Sequence, residues 1–177
     1  MTLPLHITTM KYLQRKPTRI PKYDYSQNNY YFVTICAQSK ACIFGETEEL
    51  NRFGVIAQEE MEKISSHYSG VFVDKFVIMP NHVHGIFVID REKNSKENIS
   101  LSQIVGLYKS GVSRKIHAIL PSLAVWQRSF HDRVIRNQKE YEMIWMYIET
   151  NPIRWKEDCF YEGVREGQDP PLPEEGV

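Results

Sequence analysis

Two strand-like runs separated by only two residues set the first constraint on this chain. Residues 71–79 and 82–90 are rich in β-branched and aromatic side chains, and only Pro80-Asn81 lies between them. Such runs read as strands, and Pro-Asn reads as a turn. A connection this short makes the pair antiparallel, because parallel neighbours need a crossover of about a dozen residues or more. Side chains alternate faces along a strand. His82 and His84 therefore project to one side of the hairpin, and Val83 anchors the other.

The rest of the pattern is α+β. Residues 1–29 carry Pro17 and Pro21 with little periodicity and read as an arm. Residues 30–37 read as a strand. Residues 53–67 read as a helix, with Val55, Ile56, Met61 and Ile64 at near-helical spacing. A polar loop at 91–100 precedes a second helix over 102–119, striped by Ile104, Leu107, Tyr108 and Val112. Residues 126–135 read as a fourth strand, and the run from Asn137 to Glu140 resembles a capping box opening a third helix. The order β-α-β-β-α-β followed by a helix predicts a ferredoxin-like fold. That means a four- to five-stranded antiparallel sheet with the helices packed on one face. Residues 30–155 form the domain, and 156–177, acidic and carrying Pro170, Pro171 and Pro173, form a tail.

Two imidazoles side by side on a strand begin a divalent metal site. By itself a His-x-His strand is more often structural or surface than metal binding. A second feature raises the functional reading. Tyr147 and Asn151 are four residues apart on the third helix, hence on one face and about 6 Å apart along its axis. Pro152 pushes Asn151 out of the α region, which ends the helix there. A phenol and a carboxamide at a helix end can then face the histidine pair.

The run Met79-Pro80-Asn81-His82-Val83-His84-Gly85 contains the HUH pattern, U being a large hydrophobic residue. Together with Tyr147-Ile148 and Asn151-Pro152, it resembles the single-tyrosine HUH transposases, and within them the REP-associated branch of the IS200/IS605 relatives. The likeness extends to the first strand, Tyr31-Phe32-Val33-Thr34-Ile35, and to Trp126-Gln127 with Phe130 through Arg136. It spans roughly residues 30–155. The His-x-His alone is weakly specific; all these motifs in this order are strong. The resemblance implies the same ferredoxin-like fold, with His82 and His84 as ligands of Mg²⁺ or Mn²⁺ and Tyr147 as nucleophile. Where IS200-type relatives place a Gln, this chain has Asn151. Asn is one methylene shorter, so direct ligation, a water bridge and a structural role at the helix end all stay open. The resemblance leaves monomer or homodimer, and action within or between subunits, undecided.

The residue types suit that chemistry. An ordinary phenol has a pKa near 10, so roughly one in a thousand is ionised at pH 7, a deficit of about 4 kcal/mol. A Lewis acid on the phosphate offsets part of this and orients the reacting group. Covalent capture splits one hard step into two. The phosphodiester energy is kept as a 5′-phosphotyrosine, and a later 3′-OH can reverse the step without ATP. No Walker-type glycine loop is present, and none is needed. The expected function is a metal-dependent single-strand DNA endonuclease and strand transferase at hairpin-forming repeats. The alternative is a domesticated, non-catalytic hairpin binder on the same platform. A small structural metal protein would need a ligand set that Cys36, Cys42 and Cys159 do not offer.

Charge agrees with a nucleic-acid partner only in its distribution. The chain of 177 residues carries 22 basic and 22 acidic residues, a net charge of zero. Residues 1–23 of the arm, however, hold Lys11, Arg15, Lys16, Arg19 and Lys22 with no acid, and the tail reverses the sign. Arg15, Lys16, Arg19, Lys109, Ser110, Arg114, Arg128 and Arg136 are the expected contacts to single-stranded or hairpin DNA. Trp126 and Phe130 could stack on bases, although Trp126 reads better as core. Gly85 reads as a bulge or a close approach to nucleic acid, and His131 and Asp132 as outer supports of a metal histidine. No apolar run reaches membrane-spanning length, so no membrane partner is expected. Odd cysteine usage and the lack of a secretory apolar core fit a bacterial cytoplasm, at the nucleoid. The acid-free residues 1–23 have the composition of a transit peptide as well as of a DNA-binding arm.

Overall fold

The computed structural model describes residues 22–93 and 99–157. The hairpin forms between β2 (Val71–Met79) and β3 (His82–Ile89), with Met79 opposite His82 and Val77 opposite His84. Two-residue hairpins usually close through turns with positive φ. Neither Pro80 nor Asn81 has positive φ, and hydrogen bonds from outside hold the turn instead. Phe44 N donates to Pro80 O at 3.1 Å and Ala37 N to Asn81 O at 2.8 Å.

On its other edge β3 pairs with β1 (Asn29–Cys36), and β1 pairs with β4 (His131–Ile135). The order is β2-β3-β1-β4, antiparallel throughout. This is the ferredoxin-like arrangement with four strands.

Helices cover both faces rather than one. α1 (Arg52–Glu62), α2 (Ile64–His67) and α3 (Leu101–His117) bury Ala57, Met61, Ile64, Ile104 and Val112 against Val33, Ile35, Val83 and Phe87. α4 (Gln138–Thr150) places Ile144 and Ile148 on Phe32, Ile86, Val88 and Ile135 of the other face. The cause is in the strands. β1 and β3 are apolar at odd and even positions alike, and a sheet greasy on both sides needs cover on both.

Other expectations shift for local reasons. The helix expected over 53–67 divides at Lys63, which caps the end of one helix and the start of the next. α1 starts where Asn51 accepts hydrogen bonds from Phe53 N and Gly54 N. The strand expected over 126–135 shortens to five residues. Trp126 keeps only an isolated bridge to Ala37. Beyond it the Lys109 ammonium gathers the carbonyls of Gln127, Arg128 and Ser129 at 2.6, 3.2 and 3.5 Å. Three successive carbonyls turned toward one cation cannot alternate as a strand ladder requires. At the start of α4, Asn137 Oδ1 accepts from Glu140 N at 2.9 Å. The Glu140 carboxylate reaches past the cap to Arg136 N and to Arg133 Nε, each at 2.9 Å, so the reciprocal half of the box is displaced by one residue. Asn151 does end the helix, but in α conformation (φ −55°, ψ −42°), against the expected effect of Pro152.

Candidate active site

β3 is paired along its length on both sides, which fixes the backbone beneath His82 and His84. Both side chains are fully buried on the α4 face, with ring centroids 4.4 Å apart. Each Nδ1 meets a protein oxygen. His82 Nδ1 lies 2.8 Å from Asn81 Oδ1, and His84 Nδ1 lies 2.8 Å from Thr34 Oγ1 on β1. Burial, and after it the positive charge of Lys40, push His82 down to about 3. A ring so held is neutral at physiological pH and keeps a lone pair for a Lewis acid.

α4 brings Tyr147 to the same place. Its hydroxyl is 3.3 Å from His84 Nε2, and the phenol packs edge-on to the rings of His84 (5.2 Å) and Phe32 (6.0 Å). One turn on, Asn151 is buried at the end of the helix. Trp155 follows, its ring 5.7 Å from His82. Three of the four expected site residues thus gather at one end of α4, with Asn151 placed beside them by helical spacing.

What holds α4 down lies mostly on the edge strand. A bulge between Val73 and Lys75 lets two successive residues of β2 reach the same helix. The Tyr141 hydroxyl donates to the Asp74 carboxylate, which pushes the phenol up to about 12. Lys75 pairs with Glu149 and sits 4.2 Å over the Trp145 ring.

The donor set fits a divalent ion. It offers two buried imidazoles on one strand, whose nitrogens turned away from Asn81 and Thr34 are both Nε2. Among the described residues no group of three or more His, Cys, Asp and Glu side chains gathers. Further donors would be oxygens, from a carboxamide, water or a phosphate.

The expected DNA contacts do not gather at this site. Ser110, Arg114, Arg128 and Arg136 are exposed. Arg114 lines a cleft of about 170 Å³ with Lys63 and His67, between α1–α2 and α3 on the far face. Lys109 is spent on the carbonyls of 127–129, and burial lowers its pKa. Arg15, Lys16 and Arg19 lie outside the described residues. Trp126 is core: its indole N–H donates to Lys109 O, and its ring meets Phe44 and Tyr108. Phe130 is buried as well. Gly85 is neither a bulge nor on the histidine face. A Cβ there would lie 3.0 Å from the Phe87 ring, so its bareness makes room for that side chain. His131 stands opposite Thr34, whereas Asp132, opposite Val33, belongs to the other face.

Sequence reasoning gave no role in the site to Thr34, Asn81, Phe32 and Trp155. Strand alternation could have found the first, since Phe32 and Thr34 share a face. Asn81 was read only as a turn former.

Fold and site together define a ferredoxin-like domain with a buried His-x-His strand facing a helix-borne tyrosine. Residues 24–151 match the family model described as "Transposase IS200 like", and the chain belongs to that transposase family. A Haemophilus influenzae protein described as an uncharacterized protein is 34% identical over 167 residues, covering 83% of this chain and 93% of its own. A solved REP-associated tyrosine transposase bound to a REP hairpin superimposes with a TM-score of 0.60 at 16% identity. The match covers 90% of this chain and 98% of that one. No helix of the described residues is long and apolar enough to cross a membrane.

Proposed function

We propose that this chain is a metal-dependent single-strand DNA endonuclease and strand transferase of the REP-associated type, acting beside hairpin-forming repeats. The observation that carries this reading is the 3.3 Å approach of the Tyr147 hydroxyl to His84 Nε2, inside one chain. The hairpin carried by the superimposed transposase supports the substrate class.

His82 and His84 would hold Mg²⁺ or Mn²⁺ through Nε2, with Asn151 as the candidate oxygen donor. When bound, the ion supplies Lewis-acid polarisation of the scissile phosphate. The chain's own residues do the rest. The Tyr147 oxygen attacks phosphorus, a 5′-phosphotyrosine forms and the 3′-oxygen leaves as a 3′-OH. Attack by another 3′-OH returns the phenol and joins new ends. Phe32 and the sheet exclude water from one side of the phenol. Because nucleophile and histidines meet within one chain, a monomer suffices on this reading. The exposed Ser110, Arg114, Arg128 and Arg136, and Arg15, Lys16 and Arg19 of the arm, would contact phosphates of the hairpin. Its place of action is the bacterial cytoplasm, at the nucleoid.

The test uses single-stranded oligonucleotides tiled across the DNA flanking the gene, with Mg²⁺ or Mn²⁺, on a denaturing gel. The expected result is a cut strand with a slow-migrating protein–DNA adduct, absent with EDTA and in Tyr147→Phe. Hairpin binding with no adduct would overturn the catalytic reading. Cleavage by Tyr147→Phe at the wild-type rate would overturn the choice of nucleophile.

A further inference from the structure

The turn between β2 and β3 is tied to the loop after β1 at three points. Two are the backbone bonds from Ala37 N to Asn81 O and from Phe44 N to Pro80 O. The third runs from Asn81 Nδ2 to Lys40 O at 3.2 Å, and it decides how the carboxamide is turned. A carbonyl can only accept, so the amide nitrogen must face Lys40 and the amide oxygen must face the other way. That oxygen lies 2.8 Å from His82 Nδ1. It too can only accept. In a neutral ring the proton then sits on Nδ1 and the lone pair on Nε2.

Lys40 O reaches Asn81 through an uncommon stretch of backbone. Ser39 and Lys40 take φ of 55° and 53°, two successive left-handed residues, neither of them glycine. Such conformations persist only where surrounding contacts over-determine them, and they cluster at functional sites. Here the contacts are the 3.0 Å bond from Lys40 N to Ala37 O and the 3.1 Å bond from Ala41 N to Gln38 O, which close the turn on both sides. Thr34 constrains His84 less strictly, because a hydroxyl both donates and accepts.

We propose that Asn81, oriented by the Lys40 carbonyl, is a positioning residue that fixes the Nδ1–H tautomer of His82 and so presents Nε2 to a divalent cation. The cation half of this statement rests on the function proposed above; the tautomer half does not. Outer partners of metal-binding histidines act in this way, setting the tautomer and the ring orientation together.

Metal-free protein labelled with ¹⁵N-histidine tests it by long-range ¹H–¹⁵N correlation. In the wild type His82 should show a protonated, pyrrole-type Nδ1 and a pyridine-type Nε2; the reverse pattern overturns the proposal without any variant. Asn81→Asp keeps the acceptor facing Nδ1 while losing the donor to Lys40 O, and should keep the pattern at a pH where the ring is neutral. Asn81→Ala should lose it and bind Mn²⁺ roughly 10- to 100-fold more weakly by calorimetry. An Asn81→Ala protein that is folded, with unchanged tautomer and unchanged Mn²⁺ affinity, overturns the proposal. Wild-type protein that shows the expected tautomer yet binds no Mn²⁺ overturns the metal reading of the site and upholds the tautomer inference.

Discussion

The two faces of the sheet are made by the same strands and do opposite work. Under α1 and α3 the inward positions are Val33, Ile35, Val83 and Phe87, a continuous apolar floor. Under α4 the floor is apolar at one end, with Phe32, Ile86 and Val88, and polar at the other, where Thr34, His82 and His84 follow. The polar groups are hydrogen-bonded to one another and to the turn, as burial requires. One face contributes stability and little else. The other gives up part of its apolar area to a buried polar cluster, and its helix is held in compensation by ionic and hydrogen-bonded contacts to the β2 bulge.

The largest expected effect separates the faces by function. Tyr147→Phe should lower strand cleavage by on the order of 10⁴-fold or more, measured as adduct formation, with an unchanged urea midpoint. Cleavage persisting near the wild-type rate would place the chemistry elsewhere. Ile104→Ala on the α1–α3 face should do the reverse. It deletes a fully buried side chain and should cost about 2–5 kcal/mol in urea unfolding, with cleavage per folded molecule preserved.

The buried histidine gives the α4 face a pH dependence of its own. His82 is held near 3 when folded against about 6.5 when unfolded. Its contribution is therefore intact above about pH 6.5 and is lost as pH falls toward 3, by at most about 1.4 kcal/mol per pH unit. Urea midpoints in EDTA across that range should flatten in His82→Gln; parallel curves for the two proteins would show that His82 is protonated equally in both states.

Lys109 offers a smaller contrast. Lys109→Met should cost about 1–3 kcal/mol by unsatisfying three carbonyls. It should speed amide exchange over 126–130 while leaving the salt dependence of hairpin binding alone. A salt slope reduced by about one would return Lys109 to the phosphate contacts. Smallest of all, Lys75→Ala should cost under about 1 kcal/mol, since both it and Glu149 are partly solvated.

The sheet and the site were legible to different depths. The hairpin, its antiparallel sense and the shared face of His82 and His84 followed from a two-residue gap and strand alternation. Tyr147 and Asn151 on one helix end followed from four-residue spacing. What could not be read were bonds between residues far apart in the chain. Lys109 looked like a phosphate contact because nothing local shows a lysine folding back on carbonyls 18 to 20 residues later. The same bonds cut the fourth strand short. The second covered face was missed because β3 is apolar at every position after the histidines, a run that periodicity alone cannot orient. Asn81 and Thr34 escaped because turn and strand propensities explain them sufficiently without any partner.

The central position of β3 has a consequence for how the molecule moves. A strand laddered on both sides belongs to the last part of a domain to open, whereas a helix attached through a small cluster opens at lower free energy. The imidazoles therefore share the slow breathing of the sheet, and the phenol the faster breathing of α4. Fluctuations of this protein would withdraw Tyr147 from the histidines before they disturb the histidines themselves.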